Sequence, residues 1–301
     1  IGTHRLLSKD IEFSDLGLLV VDEEHRFGVA HKERLKKMKK AVDVLSMTAT
    51  PIPRTLSMAI SGIRDISIID TPPRNRLPIH TEILPFDDER IREAVMREIG
   101  RGGQVFFVHN RIQSIEVMEG YLRRLLPDRV KIAHAHGQMK ERDLERIMID
   151  FVDKKFDVLL STMIIEAGLD FPNVNTIIIN RSDRFGLAQL YQLRGRVGRS
   201  DRKAYAYLLI PKRGGLTSTA IKRLQAIAEF DCLGAGYRIA MRDLEIRGAG
   251  NFLGHQQSGQ ISAVGLDLYS RMIRDEVARR SGEEIEEGQE ARISVPVPAY
   301  L

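Results

Sequence analysis

The feature that most constrains this chain is an alternation, sustained over most of its length, of short aliphatic runs with longer polar stretches of helical period. Leu16 to Val21 reads as a fully buried strand, His31 to Lys40 as a basic helix and Val42 to Met47 as a second buried strand. Buried strands separated by helices imply a parallel sheet, because a parallel crossover needs a dozen or more residues and lays its helix on the sheet face. Thr71-Pro72-Pro73-Arg74-Asn75-Arg76-Leu77-Pro78 then breaks the periodicity with three prolines and reads as a linker. Beyond it come helices at Asp88 to Ile99, Ser114 to Leu126, Glu141 to Phe151 and Leu187 to Leu193. Between them fall strands at Gln104 to His109, Val130 to His134, Asp157 to Ser161, Thr176 to Asn180 and Ala204 to Ile210. Lys212-Arg213-Gly214-Gly215 closes this second α/β unit. The pattern turns helical from Thr219, glycine-rich from Gly234 to Gly265, and helical again from Leu266 to Arg280, before an acidic stretch at Glu283 to Glu290. The implied division is 1–78, 79–213, 214–282 and 283–301.

A chain of 301 residues with 43% hydrophobic and 29% charged content has length for about two domains. No run of 18 apolar residues exists, which excludes a membrane-spanning helix. A single cysteine, Cys232, cannot form an internal disulfide and points to a reducing, cytoplasmic home. Ile1-Gly2-Thr3-His4 offers neither an initiator Met nor a signal peptide, so the chain is expected to be a piece of something longer. The net charge of +5 is unevenly spread. Arg181 to Arg223 holds eleven Lys or Arg against two Asp, a net of +9, while Asp275 to Glu290 holds seven acids against two Arg, a net of −5. That asymmetry favours a polyanion as partner of the middle of the chain.

Several strings carry chemistry. Val20-Val21-Asp22-Glu23-Glu24-His25 puts carboxylates at the C-terminal edge of a strand, where ligands of open α/β sheets collect. In a nucleotide hydrolase, one such carboxylate, Asp22, would hold Mg2+ through water, and its neighbour Glu23 would orient or deprotonate the attacking water. The alternative is a strand ending in an acidic turn. Thr48-Ala49-Thr50-Pro51 follows the next strand. The hydroxyls of Thr48 and Thr50 can couple a metal site to a neighbouring domain, or simply form a turn before proline. Gln192-Leu193-Arg194-Gly195-Arg196-Val197-Gly198-Arg199 would place Arg196 and Arg199 about one helical turn apart on a shared face, as paired arginine fingers. The alternative is a solvated basic helix, although two glycines are costly there and suggest close backbone approach. Ser161-Thr162-Met163-Ile164-Ile165-Glu166-Ala167-Gly168-Leu169-Asp170 offers Thr162 for a nucleic-acid phosphate and Asp170 for a ribose hydroxyl or an arginine finger. No cysteine or histidine group has zinc spacing. His25 and His255 read as polar contacts, His134 and His136 as alternating along a strand edge, and Cys232 as an inert thiol.

In order and spacing these strings resemble the motor motifs of the superfamily-2 helicases and translocases: DEEH their motif II, TAT motif III, STMIIEAGLD motif V and QLRGRVGR motif VI. Ile1 to His4 is similar to motif Ib, Met47 to Arg54 (MTATPIPR) to the motif III region and Val105 to Arg111 (VFFVHNR) to motif IV. His136 to Met139 and Phe185 to Leu190 agree as well. The resemblance implies part of a first RecA-like lobe (1–78), a complete second lobe (79–213) and ATP with Mg2+ as cofactors. Gly168, Asp170 and Gln192 would lie at the nucleotide, Gly2, Thr3, Arg111 and Thr162 on DNA, and Asp22, Glu23, Arg196 and Arg199 in catalysis, with Thr48 and Thr50 coupling the lobes. The phosphate-binding loop G-x-x-x-x-G-K-[ST] occurs nowhere in the chain. In the family it precedes motif Ib, so the chain by itself is expected not to hydrolyse ATP.

Asp243 to Gly254 (DLEIRGAGNFLG) followed by Gln256 to Gly259 resembles the translocation motif shared by the bacterial transcription-repair coupling factors and the RecG-type branch-migrating helicases. It implies a helical hairpin and loop (214–282) in which Arg223, Arg247 and Gln257 couple the motor to double-stranded DNA. RecG-like chains read D-E-Q-H and R-G-P-G where this one has Glu24 and Ala249, and Ile293 to Leu301 resembles the coupling factors' exit strand. The coupling-factor family is therefore preferred, with RecG as the alternative. RNA polymerase and excision-repair proteins would be partners through modules outside this chain, and no membrane is involved. A non-catalytic DNA- or protein-binding piece is the reading from a different class.

Overall fold

The structure, a computed structural model, describes residues 1–8, 10–24, 27–38, 42–50, 66–69, 71, 77–166, 170–199, 201–230, 234–247 and 279. The chain divides into two units. One comprises Ile1–Pro53 and Ile68–Arg247 and carries every element described below. The other, Arg54–Ser67 with Gly248–Leu301, lies almost wholly outside the described residues, and with it the proposed helix at Leu266 to Arg280, the acidic stretch and the exit strand.

Near the N-terminus, β1 (Leu18–Asp22) and β2 (Asp43–Met47) flank α1 (Val29–Met38) and pair in parallel from Leu18↔Asp43 to Asp22↔Met47. The expectation of fully buried strands fails here. Leu18, Val20, Leu45 and Met47, which share one face of the pair, are exposed, while Val21 on the other face packs with Leu7 and Leu35. A sheet face is buried only when a second layer covers it, and among the described residues α1 and the turn at His4–Leu7 cover one side alone.

The second sheet is six-stranded and parallel throughout, in the order β3-β8-β7-β4-β6-β5. Its strands are β3 (Ile79–Pro85), β4 (Gln104–Val108), β5 (Ile132–Ala135), β6 (Val158–Ser161), β7 (Val174–Ile179) and β8 (Ala204–Ile210). The helices are α2 (Asp88–Gly100), α3 (Ile115–Leu125), α4 (Glu141–Val152), α5 (Leu187–Arg194), α6 (Ser218–Glu229) and α7 (Gly236–Arg247). β3 was not expected from the sequence. It mixes His80, Thr81 and Glu82 with its aliphatics, as an edge strand tolerates, and is specified by pairing along its whole length with β8.

The central strands are buried on both faces, and successive residues feed two separate cores. Val105 and Phe107 of β4 pack with Ile91 and Val95 of α2 and Leu122 of α3. Phe106 and Val108 point the other way, to Phe151 of α4, Leu190 and Leu193 of α5, and Ile227 of α6. Phe106 is wholly buried and meets Phe171 edge-on at 5.2 Å and Phe151 at 5.6 Å. Phe106→Ala should therefore lower the unfolding free energy of this chain by about 3–5 kcal/mol. Leu18→Ala, on the open face of β1, should change it by less than about 0.5 kcal/mol. Urea unfolding of the two variants checks the contrast, and equal effects would contradict the assignment of faces.

Candidate nucleotide and nucleic-acid site

β1 ends at the acidic string. Asp22 is its last, exposed residue, and Glu23 takes a positive φ of 49°, a strained conformation for a residue with a Cβ. The bend is held: Glu23 N donates to Met47 O at 2.9 Å, and the carboxylate accepts from Thr48 Oγ1 at 2.8 Å and from Ala49 N at 3.1 Å. Glu24 accepts from Ser46 Oγ at 2.9 Å. The strings read separately as DEEH and TAT are thus one hydrogen-bonded unit. Ser46 and the Ala49 amide, which the sequence did not single out, are part of it. His25 lies outside the described residues.

The same turn reaches the second sheet. Gln192 on α5 donates from Nε2 to Thr50 Oγ1 at 3.2 Å, and Thr50 is buried. The expected helical pairing of Arg196 and Arg199 is overturned: α5 ends at Arg194, Gly195 caps it, Arg196 follows in a turn and Arg199 in the irregular chain beyond. The reason lies in Gly198, whose φ of +71° no continuing helix allows, and where a Cβ would come within 2.9 Å of Ala204 Cβ. The close approach suggested by the glycines is real, but it is an approach to β8. Arg199 Nη1 donates to Asp170 Oδ1 at 3.0 Å, so Asp170 meets an arginine, one of the two partners weighed for it. Gly168 lies outside the described residues.

A second feature opens at the carboxyl ends of β4, β5 and β6. A groove of about 490 Å³ is lined by Asn110 and Arg111 after β4, Gly137 after β5, and Thr162 and Met163 after β6. Arg111 and Thr162, 51 positions apart in sequence, meet there because parallel strands deliver their following loops to one edge. Gly2 and Thr3 lie outside its lining, and Thr3 instead caps the turn at His4–Leu7 by accepting from Arg5 N at 3.4 Å. Behind the groove, His109 is buried. It accepts from Asn180 Nδ2 at Nδ1 (3.0 Å) and donates from Nε2 to Ser114 Oγ (2.8 Å). Burial, reinforced by nearby Arg111, pushes the His109 imidazole below its ordinary pKa.

The basic stretch is less of an open polyanion surface than its charge count suggests. Arg194 is buried, Arg181 is bidentate to Asp183, each lifting or lowering the other's pKa in favour of the charged pair, and Arg202 donates to Arg101 O. After β8, α6 and α7 pack on each other and on α5, as a helical hairpin does. Arg223 sits half-buried on α6 with no hydrogen-bond partner for its Nε among the described residues, and Arg247 is the last residue of α7. Gln257 and Cys232 lie outside the described residues.

Residues 88–201 match the helicase conserved C-terminal domain. Over its whole length the chain is 56% identical, across 303 aligned residues, to the transcription-repair-coupling factor of Staphylococcus epidermidis and 55% identical, across 302, to that of Bacillus subtilis. It spans 26% of the length of each. Among solved structures, RecG bound to a three-way DNA junction has a TM-score of 0.65 at 36% identity, over 91% of this chain and 36% of that one. Dbp5 of S. cerevisiae, bound to RNA and ADP BeF3, has a TM-score of 0.57 over 81% of this chain and 66% of that one, and at 15% identity shares the fold alone. The chain therefore belongs to the superfamily-2 helicases and translocases, with a RecA-like C-terminal helicase lobe. Within them, its family is that of the bacterial transcription-repair-coupling factors.

Neutral His109 holds together the loops behind the groove, and a lowered folded pKa fixes the sign of its effect. Its contribution to stability is complete above about pH 6.5, the unfolded value, and is lost as pH falls through the folded one. Between about pH 7.5 and 5.5, the melting temperature of the wild-type chain should fall more than that of His109→Gln. Identical slopes in a calorimetric series would remove His109 from the account.

Proposed function

We propose that this chain is the greater part of the motor of an ATP-driven double-stranded DNA translocase: the end of a first lobe (1–78), a second lobe (79–213), a translocation hairpin and loop (214–282) and an acidic connector (283–301). The observation that carries the reading is the continuous link from Glu23 through Thr48 and Ala49 to Thr50 and Gln192. It joins a strand-end carboxylate of one sheet to α5, the helix that leads into Arg196 and Arg199 beside the other. Adjacent carboxylates at 22 and 23, the first exposed and the second fixed by two donors, suit Mg2+, which keeps most of its waters and takes one or two carboxylates from protein. ATP with Mg2+, when bound, supplies the phosphoryl group whose transfer to water drives movement.

Asp22 would hold the ion through water, and Glu23 would orient the attacking water and take its proton. Arg196 and Arg199 would place positive charge where it develops in transfer, with Asp170 aiming Arg199, and Gly168 and Gln192 would border the nucleotide. Arg111 and Thr162 would take DNA phosphates in the groove, with Gly2 and Thr3 contributing from the first lobe, so that binding follows backbone charge and not sequence. Thr48 and Thr50 would couple the lobes, and Arg223, Arg247 and Gln257 would couple the hairpin to movement. For the whole protein, the coupling-factor relatives support displacement of stalled RNA polymerase and recruitment of excision repair through modules beyond this chain. The likeness to RecG on a three-way junction supports branch migration as the second reading; higher identity along the full chain favours the first.

The test is ATP hydrolysis with and without duplex DNA. The 301-residue chain, lacking a phosphate-binding loop, should show none above background. The full-length protein should show DNA-stimulated turnover that falls by ~10³-fold or more in Arg199→Ala if it acts as a finger. Wild-type turnover in that variant, or Mg2+-dependent turnover by the chain alone, would contradict the proposal.

A further inference from the structure

At Gly236, the first residue of α7, the hairpin meets the first lobe backbone to backbone. A Cβ on Gly236 would lie 2.1 Å from the carbonyl oxygen of Ala49 and 3.3 Å from its carbon. The next nearest atom among the described residues, Tyr191 Cε1, stands at an ordinary contact distance of 3.6 Å. Ala49 is the residue whose amide donates to Glu23. Its neighbours are Thr48, which donates to the same carboxylate, and Thr50, which accepts from Gln192. The start of α7 is also firmly seated in the core beside the second sheet. Ala235 and Ile239 are fully buried, and Ile239 N donates to Ala235 O at 2.8 Å.

The same end of the hairpin, where α6 gives way to α7, is also held from α5. Arg194, the last residue of α5, is 3% exposed and donates to Ile227 O at 2.8 Å and Phe230 O at 2.5 Å. Those carbonyls close α6, where unpaired acceptors and the negative end of the helix dipole welcome a guanidinium. The hairpin is therefore clamped to α5 at the end of α6 and rests on the Ala49 peptide at the start of α7.

We propose that Gly236 is a positioning residue whose missing side chain lets α7 seat directly on the Ala49 peptide. Displacement of the Glu23-bearing turn is then passed to the hairpin without travelling through the Gln192–Thr50 bond. The inference rests on the translocase reading. A peptide carbonyl is not compressible, so a methyl at Gly236 would force the Ala49 segment back by about 1 Å, taking Glu23 with it. Misplacement on that scale costs up to ~10²-fold at a catalytic centre.

The experiment compares full-length Gly236→Ala with the wild type in three readouts: kcat and KM for DNA-stimulated ATP hydrolysis, displacement of a triplex-forming strand, and the thermal unfolding midpoint. The variant should lose ~10- to 100-fold in kcat and lose displacement in step. Its KM for ATP should stay within about threefold. Its unfolding midpoint should stay within a few degrees of the wild type, because the clash falls on the exposed Ala49 segment, the next described atom, Tyr191 Cε1, stands at contact distance, and alanine suits a helix. Wild-type turnover and displacement in Gly236→Ala would overturn the inference. So would a loss of turnover accompanied by a midpoint lowered beyond those few degrees, which would assign Gly236 to the packing of the second lobe. A wild-type protein without DNA-stimulated hydrolysis would instead sink the translocase reading itself.

Discussion

Six parallel strands covered on both faces cannot avoid discharging their loops at one common edge, and the larger part of the site depends on that constraint. The loops after β4, β5 and β6 form the groove, and the segment after β7 leads into α5 and the arginine turn. Its central strands, buried on both faces, are mostly apolar, with Gln104, Asn175 and Thr176 the buried polar residues towards the start of β4 and β7. The polar groups of its edge therefore sit immediately beyond the last aliphatic residue: His109 after Val108, Ser161 and Thr162 after Leu160, Asn180 after Ile179.

Across from that edge, the turn Thr48-Ala49-Thr50 acts as a junction. Its two threonine hydroxyls and the Ala49 backbone meet a carboxylate, a glutamine amide and a helix start, each within hydrogen-bond or contact range. The strained φ of Glu23 is sustained by the donors it receives there. A few short polar contacts thus join the two sheets at this turn.

Much of this was legible in the sequence, and the misses have physical causes. β8 was read at its observed bounds and α4 to within one residue, because an uninterrupted run of apolar and aromatic residues and a strong helical periodicity leave few alternatives. β3 escaped because its residues alternate poorly and only its pairing with β8 specifies it. The burial of β1 was overestimated because apolar residues record the cover a strand is suited to, and among the described residues only one of its faces is covered. The spacing of Arg196 and Arg199 mimicked a helix that Gly198 forbids. The contacts of the Ala49 amide and of Gly236 left no trace in the sequence, since a peptide group and a missing side chain have no letter of their own. Arg194 was counted as surface charge because a guanidinium spent on helix-end carbonyls looks, in sequence, like one facing solvent.

The central claim is that a hydrogen bond between the two sheets completes the nucleotide site. It is tested most directly by a double-mutant cycle on Thr50→Val and Gln192→Ala in the full-length protein, read as kcat/KM for DNA-stimulated ATP hydrolysis. If Gln192 acts through Thr50, the double variant should be no worse than the poorer single one, with a coupling energy of roughly 0.5–3 kcal/mol. Losses that simply add would show that the two residues act independently and would contradict the account.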